Sequence, residues 1–305
     1  MEGILPLFKP AGLTSHDCVF KIRKILKTKK VGHTGTLDPD VTGVLPICIG
    51  KATKIAEYIT DAGKAYEGEV TLGFSTTTED ASGEVVESKS IDRTISRDEI
   101  VKVLNTFQGE IEQTPPMFSA VKINGKRLYE YARQGIEVER PTRKVTIYSI
   151  ELLDERDHFT GNTISFRFRV SCSKGTYIRT LAVMIGELLG FPAHMSKLIR
   201  IQSASFALND CFTLEEIEQH MKNGEIEKIL FPIEAGISHL PKIKISDTVA
   251  EKVKNGSLMP ISDELTNIDG PIIVERQNGE AIAIYTKHPS KPDLLKPMKV
   301  LRNES

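Results

Sequence analysis

A chain of 305 residues that is 40% hydrophobic and 27% charged carries enough apolar material for a sizeable core, and its length suggests one large and one small domain. Its net charge is −1, from 40 basic and 41 acidic residues, so the total does not announce a nucleic-acid partner; the first 54 residues, however, hold nine Lys or Arg against four Asp or Glu, about +5. Four dispersed cysteines without a CxxC pair indicate neither a zinc site nor a disulfide framework, no apolar run is long enough to span a bilayer, and no secretory leader is evident, which gives a cytoplasmic expectation with reduced thiols.

In chain order, Ile4 to Leu7 is a strand candidate. Lys9-Pro10-Ala11-Gly12-Leu13-Thr14-Ser15 is a turn ending in helix-capping residues. From Ser15 to Lys27, the residues Cys18, Val19, Ile22, Ile25 and Leu26 fall on one helical face. Lys21, Arg23, Lys24, Lys27, Lys29 and Lys30 form a basic run, which is either a solvated face or a surface that meets phosphates. The stretch Gly32-His33-Thr34-Gly35-Thr36-Leu37-Asp38-Pro39 is a glycine-bent polar loop that feeds an apolar run of strand length, Val44 to Ile49. Asp38 is locally readable as the cap of a helix starting at Pro39, or as a reactive carboxylate held on a rigid support.

Lys51 to Thr60 reads as helical, and Tyr66 to Phe74 alternates like a half-buried strand with Tyr66 near its start. Thr76 to Gly83 is a polar turn in which Asp80 is suited to bond its own backbone. A helix is predicted over Ser96 to Phe107. Between residues 115 and 145, Lys122, Lys126, Arg127, Arg133, Arg140, Arg143 and Lys144 interleave with Tyr129 and Tyr131, the mixture that backbone tracking plus base stacking requires. Strands are predicted over Val145–Leu153 and Thr163–Cys172, a helix over Leu181–Leu189 ending at Gly190, and a charged helical connection over Leu214–Leu230. A boundary at Pro241 precedes short strand candidates at Lys242–Ile245, Ile272–Glu275, Ile282–Tyr285 and Val300–Arg302. There is no internal repeat, P-loop, dinucleotide motif or cluster of metal ligands.

Gly-His-Thr-Gly-Thr-Leu-Asp38-Pro followed by Thr-Gly-Val-Leu-Pro46 resembles the catalytic motif of the TruB family of tRNA pseudouridine synthases. So do Lys9-Pro-x-Gly-x-Thr-Ser15, Pro115-Pro-x-Phe-Ser-Ala-x-Lys122 and Cys172-Ser-Lys-Gly-Thr-Tyr-Ile-Arg179, while Lys254-Asn-Gly-Ser-Leu-Met259 has a fainter likeness to a PUA-type RNA-binding module. The resemblance implies an α+β pseudouridine synthase domain over residues 1–240 with a mixed, largely antiparallel sheet, a thumb-like insertion at about 115–145, and a small β-rich PUA-like domain over 241–305.

The same resemblance implies the reaction, isomerisation of uridine 55 in the tRNA T-loop to pseudouridine. Asp38 is then the catalytic carboxylate, Arg179 its charge partner and Tyr66 the ring that stacks on the target base. His33, Asp80, Tyr177, Leu198, Lys9, Lys122 and Arg133 are assigned to binding the RNA or its base, with His33 taking the place of the flipped uridine. No cofactor, metal, membrane, guide RNA or obligate protein partner is expected. Flipping a base out of its stack costs a few kcal/mol and stacking it on a ring returns about 1–3 kcal/mol, so affinity must come from phosphate contacts. A tRNA-folding chaperone on the same scaffold and a guide-RNA-dependent relative are the alternatives. Whether the aspartate takes a sugar proton, attacks the sugar or adds to the base stays open. Met184 and Ser203-Ala204-Ser205-Phe206 depart from the family pattern.

Overall fold

Residues 64–70 alternate buried and half-exposed side chains in the computed structural model, which describes residues 1–262, 265 and 267–302. That period of two builds the central strand of a sheet. The described residues group into two compact units. One comprises Met1–Asp40, Val44–Ala62 and Ser203 onward; the other comprises Val41–Gly43 and Gly63–Gln202.

In the second unit the strands run in the order Ala193–Ser203, Lys64–Leu72, Ile164–Cys172, Arg143–Leu152, Gly109–Gln113. Tyr66, Gly68 and Val70 pair antiparallel with Val170, Phe168 and Phe166, and these residues are buried. On the opposite face Arg169 bridges Glu67 at 2.7 Å and Glu151 at 2.9 Å. Thr42 and Gly43 run parallel to Ile199 and Arg200, which makes the sheet mixed. Two helices, Arg97–Thr106 and Ile178–Leu189, pack against its strands and each other. Gly43 sits at φ +110, and a Cβ there would collide with the backbone of Arg200. Gly43→Ala is therefore expected to destabilise the protein by about 3 kcal/mol or more and to lower Tm by roughly 6 °C or more in a thermal melt.

In the first unit Gly3–Lys9 lies beside Thr42–Ile49, and Val31–His33 pairs antiparallel with residues 47–49. The helix Ser15–Leu26 opens with a capping box, in which Thr14 accepts from the Asp17 N–H and Asp17 accepts from the Thr14 N–H. It buries Cys18, Ile22 and Leu26 with Leu5, Leu7, Leu45 and Ile47. A five-stranded sheet follows, in the order Lys242–Ile245, Ile272–Arg276, Ala281–His288, Lys291–Val300, Met259–Pro260. Its own core holds Ile245, Val253, Ile272, Val274 and Leu295, while Ile273, Ile284 and Leu301 share a cluster with Ile4, Val44 and Cys48.

Several predicted elements change shape. The Lys51–Thr60 helix is a 3-10 turn, Gly50–Ile55, followed by a short α-helix, Ala56–Asp61. The strand predicted to reach Phe74 stops at Leu72, because Gly73 at φ +115 turns the chain and Phe74–Thr76 pairs instead with Val85–Ser88. The Leu214–Leu230 connection breaks at Gly224 (φ +72), leaving the helix Leu214–Lys222 and a 3-10 turn, Ile226–Ile229. The strand expected at Val300–Arg302 lies earlier, at Lys291–Val300, where Pro292 and Pro297 obscure the pattern and the pairing with Ala281–His288 shifts register twice. The helix Asp247–Lys254 went unread although Val249, Ala250 and Val253 have helical spacing. Among the described residues no helix is long and apolar enough to cross a membrane, and no group of three or more His, Cys, Asp or Glu is arranged to hold a metal ion.

Candidate active site

Asp38 does not begin a helix. It lies half-buried in an irregular loop between Val31–His33 and Thr42–Ile49. Both of its neighbours are pinned. The Leu37 N–H donates to Ser15 Oγ at 2.9 Å, and that hydroxyl also approaches the Leu37 carbonyl at 3.3 Å. The Pro39 carbonyl accepts from the Gly12 N–H at 3.0 Å and from Lys9 Nζ at 2.8 Å. Lys9 is fully buried, and its ammonium also donates to the Pro10 carbonyl at 2.7 Å. Burying an ammonium is costly unless oxygen acceptors surround it, and here two carbonyls do so. Lys9, assigned from the sequence to RNA binding, is thus placed inside the protein, beneath the loop that carries Asp38. His33 ends the strand Val31–His33 opposite Ile47 and is half-buried, and the buried Thr34 hydroxyl donates to Pro46 O at 2.9 Å.

In the second unit, Arg179 occupies the first turn of the helix Ile178–Leu189, and its side chain is 6% exposed. Its fork spans two segments: Nη1 donates to Thr78 O at 3.1 Å and Nη2 to Phe118 O at 2.9 Å. Asp80 Oδ2 stands 4.0 Å from Nη1. Asp80 Oδ1 accepts from Thr78 Oγ1 (2.6 Å), the Ser82 N–H (3.0 Å) and Ser82 Oγ (2.6 Å). The turn-forming role read from the sequence and the position beside Arg179 therefore coexist in one side chain, with one oxygen for each.

Tyr177 caps that helix, and Gln113 holds it there: the Tyr177 N–H donates to Gln113 Oε1 at 2.9 Å, and Gln113 Nε2 donates to Tyr177 O at 3.1 Å. A capping position whose own side chain makes no cap hydrogen bond is served by an amide from 64 residues away. Tyr66 is 7% exposed on the strand Lys64–Leu72. A Cβ on Gly68 would meet Leu198 Cδ1 at 3.3 Å, so Leu198 covers the strand on the face that Tyr66 shares with Gly68. Lys122 is exposed on the two-residue strand Lys122–Ile123. Arg133 is exposed at the end of the helix Leu128–Arg133, its guanidinium 5.4 Å from the Tyr129 ring, which Arg127 also approaches at 5.8 Å.

Lys9, His33 and Asp38 thus belong to one unit, and Tyr66, Asp80, Lys122, Arg133, Tyr177, Arg179 and Leu198 to the other. Sequence reading missed Ser15 and Gln113, the two side chains that fix the backbone next to Asp38 and Arg179. Ser15 ends one of the motifs and Gln113 lies two residues before another, but nothing local discloses the partner of either. The three buried thiols are poor rival nucleophiles, because burial pushes Cys18 up, Cys48 up to about 12 and Cys172 up to about 11.

Residues 23–178 match the model of the TruB family pseudouridylate synthase N-terminal domain, and residues 179–238 match that of the tRNA pseudouridylate synthase B C-terminal domain. The chain is 62% identical to the tRNA pseudouridine synthase B of Geobacillus thermodenitrificans over 302 residues, covering 99% of this chain and 100% of that protein. It is 62% identical to the protein of the same name from Bacillus cereus over 304 residues, covering 99% and 98%. Among solved structures, a chain of a Cbf5–Nop10–Gar1 complex is similar with a TM-score of 0.76 and 30% identity, covering 98% of this chain and 85% of that one.

Proposed function

Because the chain belongs to the TruB family of pseudouridylate synthases, we propose that it isomerises uridine 55 in the T-loop of tRNA to pseudouridine, unaided by guide RNA or a second protein. The observation that carries this reading is the 62% identity over essentially the whole length of a relative named for tRNA, set against 30% identity to the Cbf5 chain. Asp38 supplies the carboxylate that acts at the sugar or the base. Tyr66 stacks on the uracil, with Tyr177 and Leu198 lining its place, and His33 fills the gap the base leaves. Lys122 and Arg133, with Tyr129, grip the RNA backbone. Residues 241–305 act as the PUA-like RNA-binding domain. In the reaction the bond from the sugar to N1 breaks, the uracil turns, a bond forms from the sugar to carbon 5, the carbon 5 proton leaves to solvent and N1 takes up a proton. Nothing is oxidised or reduced.

The stack of two exposed guanidiniums, Arg127 and Arg133, on the half-buried Tyr129 ring favours a second role, binding and refolding of tRNA independent of chemistry. The test is tritium release from a tRNA transcript labelled at uridine carbon 5, with the purified chain alone. One equivalent per tRNA, mapped to position 55, is expected. No release refutes the enzyme reading, and release only after guide RNA or another protein is added refutes stand-alone action.

A further inference from the structure

Glu79 belongs to none of the roles above, yet the chain goes to some length to hold it. Its backbone sits at φ +62, where a residue with a side chain costs about 1–2 kcal/mol. Its N–H donates to Thr76 O at 3.2 Å and its carbonyl accepts from the Met195 N–H at 3.0 Å. Its carboxylate turns toward the helix Ile178–Leu189, where Oε2 accepts from Thr180 Oγ1 at 2.8 Å. Two successive helix residues thus hold two successive turn residues: Arg179 binds Thr78, and Thr180 binds Glu79. The charged groups that act on this carboxylate are Arg179 from the helix, Arg140 from the segment that follows Leu128–Arg133, and Asp80 from its own turn; the strand Ala193–Ser203 meets it through the Met195 N–H. Arg179 also holds Phe118 O, and Arg140 Nη1 holds Pro115 O at 3.0 Å, so both guanidiniums grip the start of the thumb-like insertion.

We propose that Glu79 is a positioning residue for pseudouridine formation: in its ionised form it fixes Arg179 and, with Arg140, ties the base of the 115–145 insertion to the Asp80 turn. This rests on the functional reading above. Burial pushes the Glu79 carboxyl up from its ordinary value, against the opposing pull of Thr180, Arg179 and Arg140. A raised carboxyl favours the protonated folded state. Its contribution to stability is present below the unfolded value and is lost as pH rises through the folded one. At pH 7.5 the ionised group therefore costs stability while it serves the reaction.

Glu79→Gln, which keeps the shape and removes the charge, separates the two effects. Its kcat at pH 7.5 is expected to fall about tenfold with KM for tRNA within about twofold of wild type, since a small displacement of a catalytic group is expensive. Its Tm is expected to equal or exceed that of wild type. The wild-type rate is expected to decline toward the Glu79→Gln level as pH falls through the raised carboxyl value, while the variant stays flat there. Glu79→Gly, which relieves the backbone at φ +62, is expected to fold and to share the loss of kcat. Wild-type kcat in both variants overturns the proposal, as does a loss of activity that merely follows a loss of Tm. A wild-type chain that releases no tritium overturns the functional reading and this inference together, whereas an active wild type with unchanged variants overturns this inference alone.

Discussion

Asp38→Asn is expected to abolish tritium release from carbon-5-labelled tRNA, with a fall in single-turnover rate of at least about 10³-fold, while tRNA binding by filter retention stays within about twofold of wild type. The substitution is nearly isosteric and removes only charge and basicity. The backbone on either side of the carboxylate is held by other groups: Ser15 holds the Leu37 backbone, and Gly12 with Lys9 holds the Pro39 carbonyl. These backbone anchors remain in the variant, so the loop keeps its course on both sides of residue 38. Loss of chemistry with binding and fold retained is the signature of a reacting group. An asparagine variant that still forms pseudouridine at the wild-type rate would remove Asp38 from the mechanism. One that binds no tRNA would instead make the carboxylate a folding or docking element.

Much of this was legible before any coordinates, and the reason differs from element to element. The strands Lys64–Leu72 and Ile164–Cys172 were readable because one face is buried and the other bears Glu67, Arg167 and Arg169, so period-two alternation survives in the sequence. The helix Ser15–Leu26 was readable from Thr14 and its apolar stripe. The strand Lys291–Val300 was not, because two prolines and two register shifts break the alternation that would mark it. Within the candidate site, residue types were legible and their partners were not. Ser15 and Leu37 are 22 positions apart, and Gln113 and Tyr177 are 64 apart. Such pairs are set by how the chain closes on itself, which no local window contains. The structure supplies a physical reason for two motifs to travel together: Lys9 and Ser15 from the first hold the backbone of the second. The departure at Ser203–Phe206 also has a local signature, since Ala204 adopts φ +53, a left-handed region that suits glycine better than alanine.

Arg179→Lys is expected to lower kcat by about 100-fold or more and to lower Tm as well, although the charge is unchanged. The guanidinium reaches Thr78 O with one nitrogen and Phe118 O with another, and keeps Asp80 within 4.0 Å. An ammonium is a single point on a flexible stem and cannot span both carbonyls, so one is left without its donor beside a side chain that is 6% exposed. That omission costs about 1–3 kcal/mol, which for a chain of this size corresponds to roughly 2–10 °C in a thermal melt. It also frees either the turn that carries Asp80 or the start of the thumb-like insertion. Arg179→Met serves as the comparison. If the site needs only a positive charge, the lysine variant keeps its rate and the methionine variant loses it; if it needs the fork, both fall. A lysine variant with wild-type kcat and Tm would show that neither carbonyl depends on Arg179. The contrast with Glu79→Gln follows from the same geometry. Replacing the guanidinium breaks bonds that hold two segments, so stability and rate fall together. Removing the neighbouring carboxylate's charge relieves a buried anion, so stability holds or rises while the rate falls. The two variants moving in the same direction in Tm would mean that Glu79 is a structural brace like Arg179 and not a residue kept charged at a cost to the fold.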